Sequence, residues 1–283
     1  MLAPQKGATM GVSIKSMQLY TGAARILSEL RALGIRDDQP VDLATLSQFD
    51  QLHYHGTEAL DVAIDACAID ARAEVLEIGS GWGGPARYVA DKSGGHVTAV
   101  ELQEDYHSVG ELLSARTPLS GTVEHICGDF HALALQPEAY SHVVSWLALY
   151  HIPGRPSFLQ KSFNLLKPGG YFWTEDLYLR APIPENEQSA LDSALFAKSL
   201  VSLEGYGATL REAGFDDVSC QDMSADWSAF TAARLADFTA GKDAYIARHD
   251  AETYGAMESF YTVISGYFAR GIIGGVRAKA RRS

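Results

Sequence analysis

The period of the apolar positions changes near Ala73. Before it, Ile14, Met17, Ala24, Leu27, Leu30 and Leu33 fall at helical spacing, with Gly34 as a C-terminal stop. Residues 41–57 are mixed and polar and predict a loop with a short helix. Residues 57–69 predict a second helix, with Thr57 as its N-cap. From Ala73 onward, short apolar runs alternate with helical segments. Strands are expected at 74–79, 96–101, 122–127, 141–147 and 170–176, and segments such as 84–94 and 157–170 between them are helical. This alternation predicts an α/β fold with a mainly parallel sheet covered by helices on both faces. Ligands of such sheets bind at the C-terminal strand ends, near the switch point.

After Asp176 the regularity breaks. Two prolines and a helical run read as an insertion of about 177–205, followed by a helix at 205–214 and a sixth strand at 215–220. Two helices, at about 227–248 and 251–269, and a final, seventh strand within 274–282 complete the pattern. The expected division is an N-terminal helical lid over 1–72 and a sheet domain over 73–283.

The first strand runs straight into glycine: VLEIGSGWGG, Val75 to Gly84, has Gly at 79, 81, 83 and 84. Glycine costs backbone entropy, so such a cluster marks a tight turn or a close backbone approach. Gly79, Gly81 and Gly84 satisfy G-x-G-x-x-G after a strand and before a helix, with Glu101 at the next strand end. That pattern fits a nicotinamide-dinucleotide enzyme and an S-adenosylmethionine (SAM) enzyme equally.

Three features separate them. Glu77 precedes the first glycine by two residues and gives E-x-G-x-G-x-G, which resembles motif I of the class I SAM-dependent methyltransferases. GDF at 128–130 follows the third strand, where that family has an acidic residue beside the adenine. LLKPGGYFW at 165–173 resembles the segment leading into its fifth strand. The resemblance spans about 74–176 and implies a Rossmann-like fold and SAM as cofactor. It assigns cofactor contacts to Glu77, Gly79, Ser80, Gly81, Trp82, Glu101, Leu102, Gln103, Asp129, Phe130 and Trp146. In this reading the glycines keep side chains clear of SAM. A carboxylate such as Glu101 accepts from both ribose hydroxyls because both its oxygens are acceptors. Trp146 and Phe130 are equally compatible with core filling, and Trp82 with contact to a ligand or a lid.

The flanks bear on the methyl acceptor. The N-terminal helix with QLHYHG, and the segment 259–281, resemble sarcosine/dimethylglycine N-methyltransferases, with phosphoethanolamine N-methyltransferases as a neighbouring group. SWLALYHI at 145–152 resembles their S-x-D-A-x-x-H segment, with Ala148 and His151 in place but Leu147 where the acid stands. The resemblance implies a small amine as acceptor, and it makes Glu175 and Asp176 the substitutes by position for the missing carboxylate. An amine must lose a proton, which suits a nearby His or Tyr. His151, Tyr54 and Tyr20 are the catalytic candidates. His55, Leu147, Tyr178 and Arg180 join Glu175 and Asp176 as candidates for holding the acceptor. Leu147 also supports a second acceptor class, a less polar O-, S- or C-nucleophile of a natural product or lipid precursor. A SAM-binding protein without transferase activity is a third reading.

Composition narrows the partners. A formal net charge of -12 disfavours nucleic acid and anionic membrane. Cys67, Cys127 and Cys220 form no CxxC pair, and His53 and His55 lack a third ligand nearby, so neither a disulfide framework nor a metal is expected. No run approaches the roughly 18 apolar residues of a membrane span. The N-terminus lacks the apolar region of a signal peptide, and a cytoplasmic location is expected. The oligomeric state is open, with a homodimer among the options.

Overall fold

The computed structural model describes Ile14, residues 22–184 and residues 187–283. A seven-stranded sheet has the order β3-β2-β1-β4-β5-β7-β6. Its strands are β1 (Glu74–Ile78), β2 (His96–Glu101), β3 (Thr122–Cys127), β4 (Tyr140–Trp146), β5 (Leu166–Leu179), β6 (Asp216–Asp222) and β7 (Ile273–Arg281). The first five pair in parallel, and β7 runs antiparallel to both of its neighbours. The chain order turns back at β1 and β4, whose C-terminal ends form the switch point.

The period-2 pattern of each strand sends alternate residues to two helical layers. On one face, Val75, Val97, Ala99 and Val144 pack against α3 (Gly56–Cys67) and α4 (Gly84–Ser93) through Leu60, Ala63, Ala86 and Val89. On the other, Leu76, Val143 and Phe172 meet α6 (Arg155–Leu165) and α8 (Leu203–Glu212) through Phe158, Leu159, Tyr206 and Leu210. Each fully buried Val, Leu or Phe among these contributes about 1.5–3 kcal/mol relative to exposure. Helix α3, assigned above to the lid, thus shares the core with the sheet.

Two further clusters build the roof. Short helices α1 (Arg25–Ala32) and α2 (Leu43–Leu46) pack Ile26, Leu30 and Leu46 with Trp82, Tyr106 and Leu113, the last two on α5 (Glu104–Arg116). The inserted α7 (Gln188–Ala194) joins α9 (Ser224–Ala240) and α11 (Ala251–Ala269) around Trp227, Phe260 and Ile273. Gly275 in β7 is needed for this packing, because a Cβ there would lie 2.1 Å from a ring carbon of Trp227.

Three boundaries differ from the sequence reading. Helix α6 stops at Leu165, and Leu166 already pairs with Tyr140. Pro168 and two glycines cannot continue the helix, so the strand begins there. The expected single helix 227–248 is broken at Gly241 into α9 and α10 (Lys242–Arg248). Helix α1 begins at Arg25, after a turn at Ala23 and Ala24, and Tyr20 lies outside the described residues.

Candidate active site

A chamber of about 360 Å³ opens at the switch point. Its glycine loop leaves β1, turns through Gly79 at φ +76° and enters α4, whose second residue is Pro85. Gly79 is required twice over, by its left-handed backbone and because a Cβ there would meet the Ala148 Cβ at 2.3 Å. At Gly79 the neighbour that a side chain would meet is thus protein. The loop's Gly81 N–H donates to Glu101 at 2.8 Å, and the Gln103 N–H donates to the other Glu101 oxygen at 2.8 Å. Both oxygens are held in place, each with a lone pair left over. Burial raises the Glu101 pKa against those backbone donors.

Four buried polar atoms lining the chamber have no partner among the described residues: Glu77 Oε2, Ser80 Oγ, Gln103 Oε1 and Trp146 Nε1. Glu77 takes a backbone hydrogen bond from Ala86 in α4, yet burial pushes its carboxyl up to about 8. Native proteins pair nearly all such atoms, so four in one chamber point to a polar ligand. Asp129 and Phe130 line the chamber beyond β3.

A second group of lining residues comes from distant segments. Leu147 sits at φ +53°, an uncommon conformation for a non-glycine residue, with its N–H donating to the Glu175 carbonyl at 2.7 Å. A 3-10 turn, Leu149–His151, follows and buries His151. Its Nδ1 lies 3.1 Å from the Phe196 carbonyl. A carbonyl only accepts, so Nδ1 carries the proton and Nε2 is the basic nitrogen. Burial lowers the His151 pKa to about 4. His53 is the counterpart from the N-terminal segment: its Nε2 donates to the Gly56 carbonyl at 3.0 Å, and burial lowers it to about 4 as well. Both rings are neutral at pH 7. Leu52 and Phe196 complete this wall.

A family profile described as "Methyltransferase domain" matches residues 75–170. The fold is that of the class I methyltransferases. It is 26% identical to phosphoethanolamine N-methyltransferase 1 of Zea mays, over 76% of this chain and 41% of that protein. It is 26% identical to a sarcosine/dimethylglycine N-methyltransferase of Halorhodospira halochloris, over 52% of this chain and 53% of that one. The chain thus spans about half, or less, of the length of these relatives. A phosphoethanolamine N-methyltransferase 2 of Haemonchus contortus, solved with phosphomonomethylethanolamine and S-adenosylhomocysteine, superposes with TM-score 0.76 at 18% identity, covering 96% of this chain and 60% of that one.

The chamber fits SAM. Glu101 offers a lone pair on each oxygen to a diol, the unpaired Glu77 oxygen suits an ammonium group, and Ser80, Gln103 and Trp146 add one acceptor or donor each. Leu102, 54% exposed, lines the mouth. Among the described residues no cluster of three metal-ligating side chains occurs.

Among the described candidates for the acceptor side, the structure brings His151 and Leu147 to the chamber and leaves the others outside it. Tyr54 packs edge-on against Trp227 at 4.9 Å, where burial raises its pKa. His55 pairs with Asp226 at 2.7 Å, outside the chamber. Glu175 is held by Arg277 at 2.7 Å. Asp176 is held by Arg155 at 3.2 Å, the Tyr206 hydroxyl at 2.9 Å and the Tyr150 N–H at 3.1 Å. Neither carboxylate lines the chamber, and each has a cationic partner inside the protein. Tyr178 is buried beside Ser224, and Arg180 is exposed. Trp82 lines a different cavity: it stacks on Tyr106 at 5.2 Å, and its Nε1 donates to the Ala23 carbonyl at 2.8 Å.

Sequence reasoning missed His53, Asp50 and Phe196. Of the two histidines in QLHYHG, no periodicity says which one faces inward. Asp50 is tied to Arg87 at 3.0 Å with both side chains fully buried. Arg87 also donates to the Trp82 carbonyl at 2.6 Å and so clamps the glycine loop from below. An arginine one turn into a helix that also carries Ala86, Val89 and Ala90 inward was the available sign.

Proposed function

We propose that the chain is a SAM-dependent methyltransferase of a small molecule, and that its acceptor is a small amine taken as the free base. The observation that carries this reading is one chamber lined both by the Glu101 and glycine-loop set and by two buried neutral histidines. The relatives' names favour an amine. The lining favours its uncharged form: among the described residues its carboxylates are Asp50, Glu77, Glu101 and Asp129, and none of these lies on the Leu147–His151–Phe196 wall. An ammonium group against that wall would be desolvated without a partner.

The cofactor supplies an electrophilic methyl group. The chain's residues do the rest. Glu101 and the glycine loop orient the donor, while Leu52, Leu147 and Phe196 exclude water from the reacting centre. His151 Nε2 accepts a hydrogen bond from the acceptor and takes the proton that the nitrogen sheds after forming its fourth bond. With its own pKa near 4, His151 is a weak base, and the rate should rise with pH along the acceptor's titration.

A second reading rests on the same wall. Among the described lining residues there is no lysine or arginine to hold a carboxylate or phosphate. This favours a less polar O-, S- or C-acceptor. Calorimetric titration with S-adenosylhomocysteine, then a methyl-transfer screen over glycine, sarcosine, dimethylglycine, phosphoethanolamine, phenols and thiols, separates the readings. Binding with amine turnover supports the first. Binding with turnover of phenols or thiols alone selects the second. Absence of binding removes the methyltransferase reading. Leu147→Asp, at a left-handed position that Asp tolerates, should shift preference toward charged amines.

A further inference from the structure

Beside the first chamber lies another of about 520 Å³, between α1 and the loop 48–52 on one side and α9, α10 and α11 on the other. Leu52 lines both. The Trp82–Tyr106 stack separates them, with Trp82 facing the second and Tyr106 the first. The second chamber is walled by aromatic rings, among them Phe230, Phe238, Tyr245 and Tyr261.

An aromatic cage commonly binds a cation. Here arginines already occupy the ring faces. Arg25 lies 4.9 Å over Trp82, and Arg234 lies 4.6 Å over Phe230 and 5.7 Å over Tyr261. Arg234 donates one hydrogen bond, to the His53 carbonyl at 3.0 Å, and its other guanidinium N–H groups have no acceptor among the described residues. Two carboxylates face the chamber. Glu29 is engaged by Arg248 at 2.6 Å and His249 at 2.7 Å, which leaves Asp237, exposed at the rim, as the one not offset. Aromatic walls and ring edges, together with a half-buried planar guanidinium that has donors to spare, suit a flat ring bearing a carboxylate or phosphate. The His53 backbone holds Arg234 while its imidazole lines the first chamber, so one residue spans both spaces.

We propose that the second chamber binds the aromatic, anionic body of the methyl acceptor, whose nucleophile reaches the first chamber past Leu52. This rests on the methyltransferase reading and supplies the cationic contact that the first chamber lacks.

The test uses 1-naphthoate as probe, in calorimetric titrations of the whole protein with and without S-adenosylhomocysteine. Naphthoate should bind the wild type. Arg234→Met should weaken it about tenfold or more, in line with loss of a charge-assisted bidentate contact. Arg234→Lys, which keeps the charge but loses the fork, should fall between. Asp237→Asn should tighten binding. S-adenosylhomocysteine affinity should be unchanged in all three variants, which reports that the fold and the first chamber persist. In turnover, 4-(aminomethyl)benzoate should show a lower KM than 4-methylbenzylamine, and Arg234→Met should erase that difference. Equal naphthoate affinity in wild type and Arg234→Met, no naphthoate binding, or preferential binding of benzyltrimethylammonium would overturn the proposal. Loss of S-adenosylhomocysteine binding in the wild type would instead strike the methyltransferase reading, and the naphthoate titration would still stand as its own result.

Discussion

The two halves of the first chamber are made differently. The half around Glu101 is built mainly from the backbone of two short segments, 79–81 and 101–103: a strand end, a turn whose Gly79 admits Ala148, and N–H groups that lock one carboxylate. The half around His151 is built from side chains of three remote segments, at 52–53, 147–151 and 196. Backbone geometry of the first kind is encoded by a handful of adjacent residues and is shared by enzymes of unrelated specificity. Convergence of remote side chains carries the choice of acceptor and leaves no compact motif.

This contrast can be broken at its hinge. Arg87 and Asp50 join the N-terminal segment to the glycine loop, so Arg87→Met strands a buried carboxylate. It should cost about 3–5 kcal/mol in chemical denaturation. A near-neutral result would mean that the two halves are independent. Each half can then be tested alone. Glu101→Ala should weaken S-adenosylhomocysteine by about ten- to a hundredfold, and unchanged affinity would remove it from the diol site. His151→Ala should slow transfer about a hundredfold at unchanged S-adenosylhomocysteine affinity; equal rates would make it structural.

The smallest effect is a dependence on pH. His53, His125 and His151 are each lowered from 6.5 to about 4 by burial. The unfolded chain therefore binds more protons between those values, and these groups remove stability as pH falls through that window. Each contributes on the order of 1 kcal/mol per pH unit. Glu77, raised to about 8, acts in the opposite sense: it takes stability away as pH rises from its ordinary 4.5 toward 8. The readout is accordingly a difference between variants. His125→Asn should give a shallower acid-side decline than wild type in denaturation series from pH 7 to 4.5.

The sheet was legible because each strand is a short apolar run between turn-forming residues, and all seven were found near their observed positions. Errors fell where local preference and tertiary pairing compete. Leu166 looks like the last turn of a helix until Tyr140 pairs with it, and Gly241 looks like a tolerated glycine inside one long helix. On the cofactor side, Glu101 was legible from its place at a strand end. On the acceptor side, Tyr54 and His53 are neighbours in a loop, and only packing against Trp227 decides which one turns toward the chamber. Glu175 and Asp176 misled for a related reason: position suggested availability, but their counter-ions come from β7 and α6, far along the chain.

The placement of β7 between β5 and β6 also orders events in time. During synthesis, the five parallel strands can join one another as they emerge. Among the described residues β6 pairs with no strand but β7, which is made after three further helices. Until then β5 presents an open edge, and a nascent chain stalled between the two would carry a sticky strand that chaperones must shield.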